Sequence, residues 1–119
     1  MTFSTKTLAG LVRPDSVHKS VYTDPRIFEL EMQRIYGKAW IYVGHESQVP
    51  ATGDYHTTRI GDQDVLMVRA ADGQVHVLYN RCPHKGAQVV GEGDGGAGKF
   101  FRCPYHAWTF KLDGTHLAA

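Results

Sequence analysis

Cys82-Pro83-His84-Lys85-Gly86 and Cys103-Pro104-Tyr105-His106 are the two runs whose reading decides the fold of this chain. Each supplies one thiol and one imidazole, two residues apart in the first run and three in the second, and 18 residues separate His84 from Cys103. Two Cys and two His are the set that holds a 2Fe–2S centre in which thiolates bind one iron and imidazoles the other. The logic is charge. Four thiolates leave the oxidised cluster formally dianionic, whereas two thiolates and two neutral imidazoles leave it formally neutral and readier to accept an electron. Potentials of the mixed set run from roughly −150 to +300 mV, against about −400 mV for the all-thiolate plant type. The chain reads as a carrier of single electrons.

Two other readings use the same residues. A Cys82–Cys103 disulfide is one, but it leaves the matched His offsets unexplained and the sequence carries no sign of export. Structural zinc is the stronger rival, since Cys2His2 is also a zinc set. Zinc ribbons and fingers, however, pair Cys with Cys and His with His at wider spacing, whereas each run here mixes the two ligand types.

With 119 residues there is room for one domain and a modest core. A formal net charge of +1 provides no basic field for nucleic acid. Residues 1–14 carry Lys6 and Arg13 without an apolar signal core, and no stretch approaches membrane-spanning length. Both cysteines are claimed as ligands, so the expected location is a reducing cytoplasm.

Residues 1–22 are weakly patterned and read as an irregular arm. Asp24 as N-cap, Pro25 at the first helical position and Gly37 past the last turn predict a helix. Phe28, Met32, Ile35 and Tyr36 fall on one face of it, read as a docking face. From Trp40 the period becomes two. Strands are expected at 40–43, 55–60, 65–68 and 75–79, with turns at Gly61-Asp62 and Ala71-Asp72-Gly73. Brief strands at 100–102 and 108–110 flank the second ligand run, and Asp113-Gly114 turns the chain again. The division is an arm and docking helix over 1–38 and a mainly β, antiparallel domain over 39–119 that places both ligand runs on tight turns at one end. The segment 91–99 matches part of a phosphate-binding loop at Gly93 and Gly98-Lys99. Phe100 stands where such a loop needs Ser or Thr, so a flexible connector is expected. His18, His45, His56, His76 and His116 have no Cys at ligand spacing and are read as ordinary surface or core residues.

Taken together, Cys82-Pro83-His84-Lys85-Gly86-Ala87, Cys103-Pro104-Tyr105-His106-Ala107-Trp108 and Asp113-Gly114 resemble the N-terminal Rieske domain of the large (α) subunit of aromatic ring-hydroxylating oxygenases. Ile35-Tyr36-Gly37-Lys38-Ala39-Trp40, Pro50, Gly53, Asp54 and Tyr55 extend the likeness, which runs from about Val21 to Leu117. Pro83 and Lys85 stand where Arg is common, and Ala107 where Gly is common. The resemblance implies a Rieske 2Fe–2S cluster on Cys82, His84, Cys103 and His106. It also implies electrons supplied by a ferredoxin or an NAD(P)H-dependent reductase. Further α subunits in a trimer-based oligomer, and a small β subunit, are the other implied partners. In that family a separate catalytic domain holds mononuclear iron on two His and one carboxylate and hydroxylates an aromatic ring. No such triad is read in these 119 residues. With a new strand starting at the C-terminus, the chain is expected to be a portion of a longer one, its sheet incomplete there.

Respiratory Rieske proteins of high potential add a second Cys to each loop and a Ser and a Tyr after the second His. Ala107 and Trp108 follow His106 here and offer no hydroxyl, which places the expected potential low in the Rieske range. Trp108 is expected to pack beside His106. A stand-alone Rieske ferredoxin and a zinc-binding interaction module are the alternatives to an oxygenase domain.

Overall fold

The computed structural model describes residues 3–119, which divide into two compact units meeting at Trp40 and Ile41. The first unit is more ordered than the irregular arm expected for 1–22. It holds a helix α1 (Thr5–Ala9), a two-stranded ribbon of β1 (Val12–Arg13) and β2 (Ser16–Val17), and a single turn α2 (Ser20–Thr23). Local hydrogen bonding accounts for this: Ser4 Oγ caps α1 by accepting from Thr7 N–H, and His18 N–H donates to Leu11 O across the ribbon.

Helix α3 (Pro25–Glu31) starts where Asp24 and Pro25 predict. The Asp24 carboxylate accepts from the Arg26 backbone N–H at 2.9 Å and pairs with the Arg26 guanidinium at 2.6 Å. It does not continue as a regular helix. Met32–Tyr36 widen into a π-helical turn before Gly37, which rotates the side chains out of the i, i+4 register assumed from sequence. Ile27 is the buried residue of α3, while Phe28, Ile35 and Tyr36 of the expected packing face stand exposed. Residues 40–43 form no strand either. Alternation alone cannot make a strand without a partner edge, and Trp40 is fully exposed, at 103%.

The second unit is mainly β and antiparallel, as the sequence predicts. Strands β3 (Asp54–Ile60), β4 (Gln63–Arg69), β5 (Val75–Tyr79) and β6 (Asp94–Gly96) form one sheet in the order β5-β4-β3-β6. Strands β7 (Phe100–Arg102), β8 (Thr109–Lys111) and β9 (His116–Ala118) form a second, with β8 central. Leu66, Val68 and Ala70, spaced by two along β4 and just past its end, share a core with Phe101, Phe110, Leu112 and the two cysteines. The other face of β4, Val65 and Met67, is buried too; a Cβ on Gly44 would lie 2.8 Å from Met67 Cε. Arg69 ties this side down, donating to the carbonyls of Val49, Gly73 and Glu46.

The expectation of a flexible connector at 91–99 is corrected by β6. Asp94–Gly96 pair with β3 in the register Tyr55↔Gly95, and the His56 ring pairs with the Asp94 carboxylate. Glycine is required for this approach: a Cβ on Gly95 would sit 2.3 Å from the Tyr55 hydroxyl oxygen. A glycine-rich segment has no side chains to argue for a strand, but the free edge of β3 supplies its backbone partners.

Candidate metal centre

Both ligand runs fold into the same backbone loop. In the first, Cys82 N–H donates to Ala87 O at 2.7 Å and Gly86 N–H to Cys82 O at 2.8 Å. In the second, Cys103 N–H donates to Trp108 O at 2.8 Å and Ala107 N–H to Cys103 O at 2.9 Å. Gly86 and Ala107 hold the same place in the two loops, and both take positive φ, +78° and +61°. The loops therefore superpose in hydrogen-bond pattern although their histidines fall at different offsets. Ala107 is the one non-glycine residue with positive φ among the described residues. That conformation explains in physical terms why glycine suits the position.

The loops bring the predicted residues together in pairs, thiol with thiol and imidazole with imidazole. Cys82 and Cys103 are free thiols buried in the core, 1% and 2% exposed, close enough for a thiol–thiol hydrogen bond. The imidazoles of His84 and His106 lie edge to face, 4.8 Å between ring centres. Hydrogen bonds from the backbone N–H of Tyr105, first, and then of His106 hold the Cys103 thiol below its usual range against the opposing effect of burial. Desolvation, aided by the neighbouring charges of His106 and Lys85, lowers the His84 pKa and favours its neutral ring. Stabilised thiolate and neutral imidazole are the protonation states a metal requires.

His84 Nδ1 is buried without a hydrogen-bond partner. An orphaned ring nitrogen beside a second imidazole, on loops that each carry a buried thiol, fits a diiron cluster, because an iron at Nδ1 satisfies the atom that the protein leaves bare. A single tetrahedral zinc would need all four donors on one ion. Among the described residues no three His, Cys, Asp or Glu side chains converge in that way. A diiron cluster asks each iron for only two protein donors.

Two features of the site have no motif to announce them. Asn80 is buried at 3% and serves as the hub of the first loop: its Oδ1 accepts from Val89 N–H and Val90 N–H, and its Nδ2 donates to Val90 O. Its position two residues before Cys82 is the sole local clue. Trp108, expected beside His106, lies flat on His84 instead, with 4.4 Å between centres and 6° between planes. Tyr105 occupies the flank of His106, 3.9 Å away. Of the histidines set aside from sequence, His45 caps the 3-10 turn Glu46–Gln48, and His116 stacks on Trp108 at 4.9 Å.

The Rieske [2Fe-2S] domain family matches residues 39–119, and the chain belongs to it. The fold and the donor set define that class, and relatives narrow it. The chain is 41% identical over 99 residues to the N,N-dimethyl phenylurea N-demethylase subunit alpha of Sphingobium sp. (strain YBL2), covering 83% of this chain and 21% of that protein. It is 39% identical over 94 residues to biphenyl 2,3-dioxygenase subunit alpha of Rhodococcus jostii (strain RHA1), covering 79% and 20%. Among solved structures it matches a quaternary ammonium Rieske monooxygenase described for carnitine oxidation and inter-subunit electron transfer. That match has a TM-score of 0.79 and 40% identity, over 85% of this chain and 27% of the other. The resemblance to the Rieske domains of oxygenase α subunits is borne out, and the cofactor of the class is the 2Fe–2S cluster. The chain spans about a fifth of the length of the curated relatives it matches. Among the described residues no helix is long and apolar enough to cross a membrane.

Proposed function

We propose that residues 39–119 are the electron-transfer domain of a Rieske oxygenase α subunit, with residues 1–38 as its arm. Cys82 and Cys103 hold one iron as thiolates; His84, through Nδ1, and His106 hold the other. When bound, the cluster supplies a centre that takes up and returns one electron. The chain's own residues do the rest. The core buries the thiols away from water, the backbone N–H groups of Tyr105 and His106 face the Cys103 sulfur, and the exposed His106 ring turns the site outward to a partner. Neither Ala107 nor Trp108 adds a hydroxyl donor, which supports a potential in the lower part of the Rieske range.

The observation that carries this reading is the buried, unpartnered Nδ1 of His84 against the His106 ring, on two matched loops that each begin at a buried thiol. Anaerobic reconstitution tests it. Two irons and two sulfides per chain with a rhombic paramagnetic signal on reduction are expected, and loss of both in Cys82→Ser and Cys103→Ser. Replacing His84 by Cys adds negative charge and lowers the midpoint of any cluster that assembles. A colourless zinc protein, or an unchanged midpoint in H84C, refutes the assignment.

At the level of the whole enzyme the reading is a soluble cytoplasmic oxygenase fed by a ferredoxin or an NAD(P)H-dependent reductase and assembled with further α subunits and a small β subunit. An aromatic substrate follows the sequence resemblance and the biphenyl dioxygenase relative. The carnitine-oxidising structure at 40% identity supports a quaternary ammonium substrate equally. Product analysis of the full-length oxygenase offered both classes decides between them.

A further inference from the structure

We propose that Trp108 is a positioning residue that sets the plane of His84 and, together with His116, holds the potential of the cluster down. The inference rests on the ligand assignment above. Trp108 joins the two ligand loops: its backbone carbonyl accepts from Cys103 N–H at 2.8 Å in the second loop, while its indole covers the His84 ring of the first. Trp108 does this by lying parallel to the His84 ring, whereas His106, the other bridging residue, meets it edge to face. A second imidazole shares the same indole. His116 lies opposite Phe110 in the β8–β9 ladder, and this register carries its ring to 4.9 Å from Trp108, 26° from parallel, and to 5.4 Å from Phe110. The second imidazole on Trp108 thus comes from a strand outside both loops.

Two physical effects of this stack have the same sign. An indole face is electron-rich and attracts positive charge, and the metal-bound imidazole is more positive when the cluster is oxidised. The stack therefore favours the oxidised state. The indole also shields one face of the half-buried His84 ring from water, and water would favour the reduced state, which carries the extra charge. Both effects lower the potential.

The test is a redox titration of the anaerobically reconstituted 119-residue chain, comparing it with Trp108→Leu, Trp108→Phe and His116→Ala. Trp108→Leu should shift the reduction equilibrium up to about tenfold toward the reduced form, equivalent to about 59 mV upward for a one-electron couple. Trp108→Phe keeps an aromatic face and should recover most of the original midpoint; His116→Ala, which frees one neighbour of the indole, should move it upward by less than Leu does. A purely structural Trp108 would alter stability and cluster content but leave the midpoint of the loaded fraction where it was. An unchanged midpoint in loaded Trp108→Leu, or an equal shift in the Phe and Leu variants, overturns the proposal. If the Leu variant takes up no cluster, an unchanged midpoint in loaded His116→Ala overturns it equally. Absence of iron from the unmodified chain would sink the ligand assignment, and this inference with it.

Discussion

Replacing Ala107 by glycine should stabilise the protein, although it removes a methyl group and adds chain freedom. Ala107 sits at φ +61°, a conformation that costs an L-residue about 1–2 kcal/mol. Glycine escapes that cost but gives the unfolded chain more freedom to lose, about 0.5–1 kcal/mol. The net expectation is a gain of about 0.5–1 kcal/mol. For a domain of this size that corresponds to a rise in Tm of roughly 2–8 °C. The reverse change in the matching loop is an internal control. Gly86 sits at φ +78° and a Cβ there would meet nothing within 4 Å, so Gly86→Ala tests backbone conformation without a clash. It should lower Tm by a similar amount. Thermal unfolding of both variants followed by circular dichroism, in the cluster-free state, separates conformation from metal binding. A lower Tm for Ala107→Gly would falsify the argument that the second loop holds its alanine under strain, and a neutral Gly86→Ala would refute the equivalence of the two loops.

Asn80→Ala leaves the N–H groups of Val89 and Val90 without their acceptor. It should cost about 3 kcal/mol in urea unfolding and reduce iron uptake, and full stability with full loading would show that the hub is dispensable. Gly95→Ala forces a methyl group into the Tyr55 ring and should cost about 1–3 kcal/mol. Amide exchange would then show residues 93–97 losing protection before β4 does. The backbone N–H of Thr115, donating at 2.9 Å, is the main cause of the lowered pKa of the Asp113 carboxyl. A depressed folded-state pKa contributes stability above the unfolded value and loses it as pH falls through the folded one. The Asp113-Gly114 turn should therefore loosen in the acid range below about pH 4, and Asp113→Asn should remove that step from an NMR titration of the Thr115 amide.

How much of this was legible in the chain depends on whether a signal is local. Cys82, His84, Cys103 and His106 stood out because metal chemistry demands particular atoms at short spacing, and the structure pairs the two thiols with each other and the two imidazoles with each other. The cap at Asp24 and Pro25, the strands β3 to β5 and their turns were legible for the same reason, since each needs only its own few residues. Strand β6 was not, because Asp94–Gly96 carry almost no side-chain pattern and become a strand only by borrowing hydrogen-bond partners from β3. Residues 40–43 failed in the opposite sense: the pattern was present and the partner edge was not.

The sequence by itself determined the donor set proposed for iron, two thiols and two imidazoles at short spacing, and the antiparallel β framework. Only the tertiary structure decided which groups surround that chemistry. It stacks Trp108 on His84 rather than His106, brings His116 to the indole from a strand outside the loops, and turns Asn80 into the support of the first loop. These contacts join positions whose separation along the chain is set by the pairing of strands, and hydrogen-bond registers between strands are settled by the packing of the whole core.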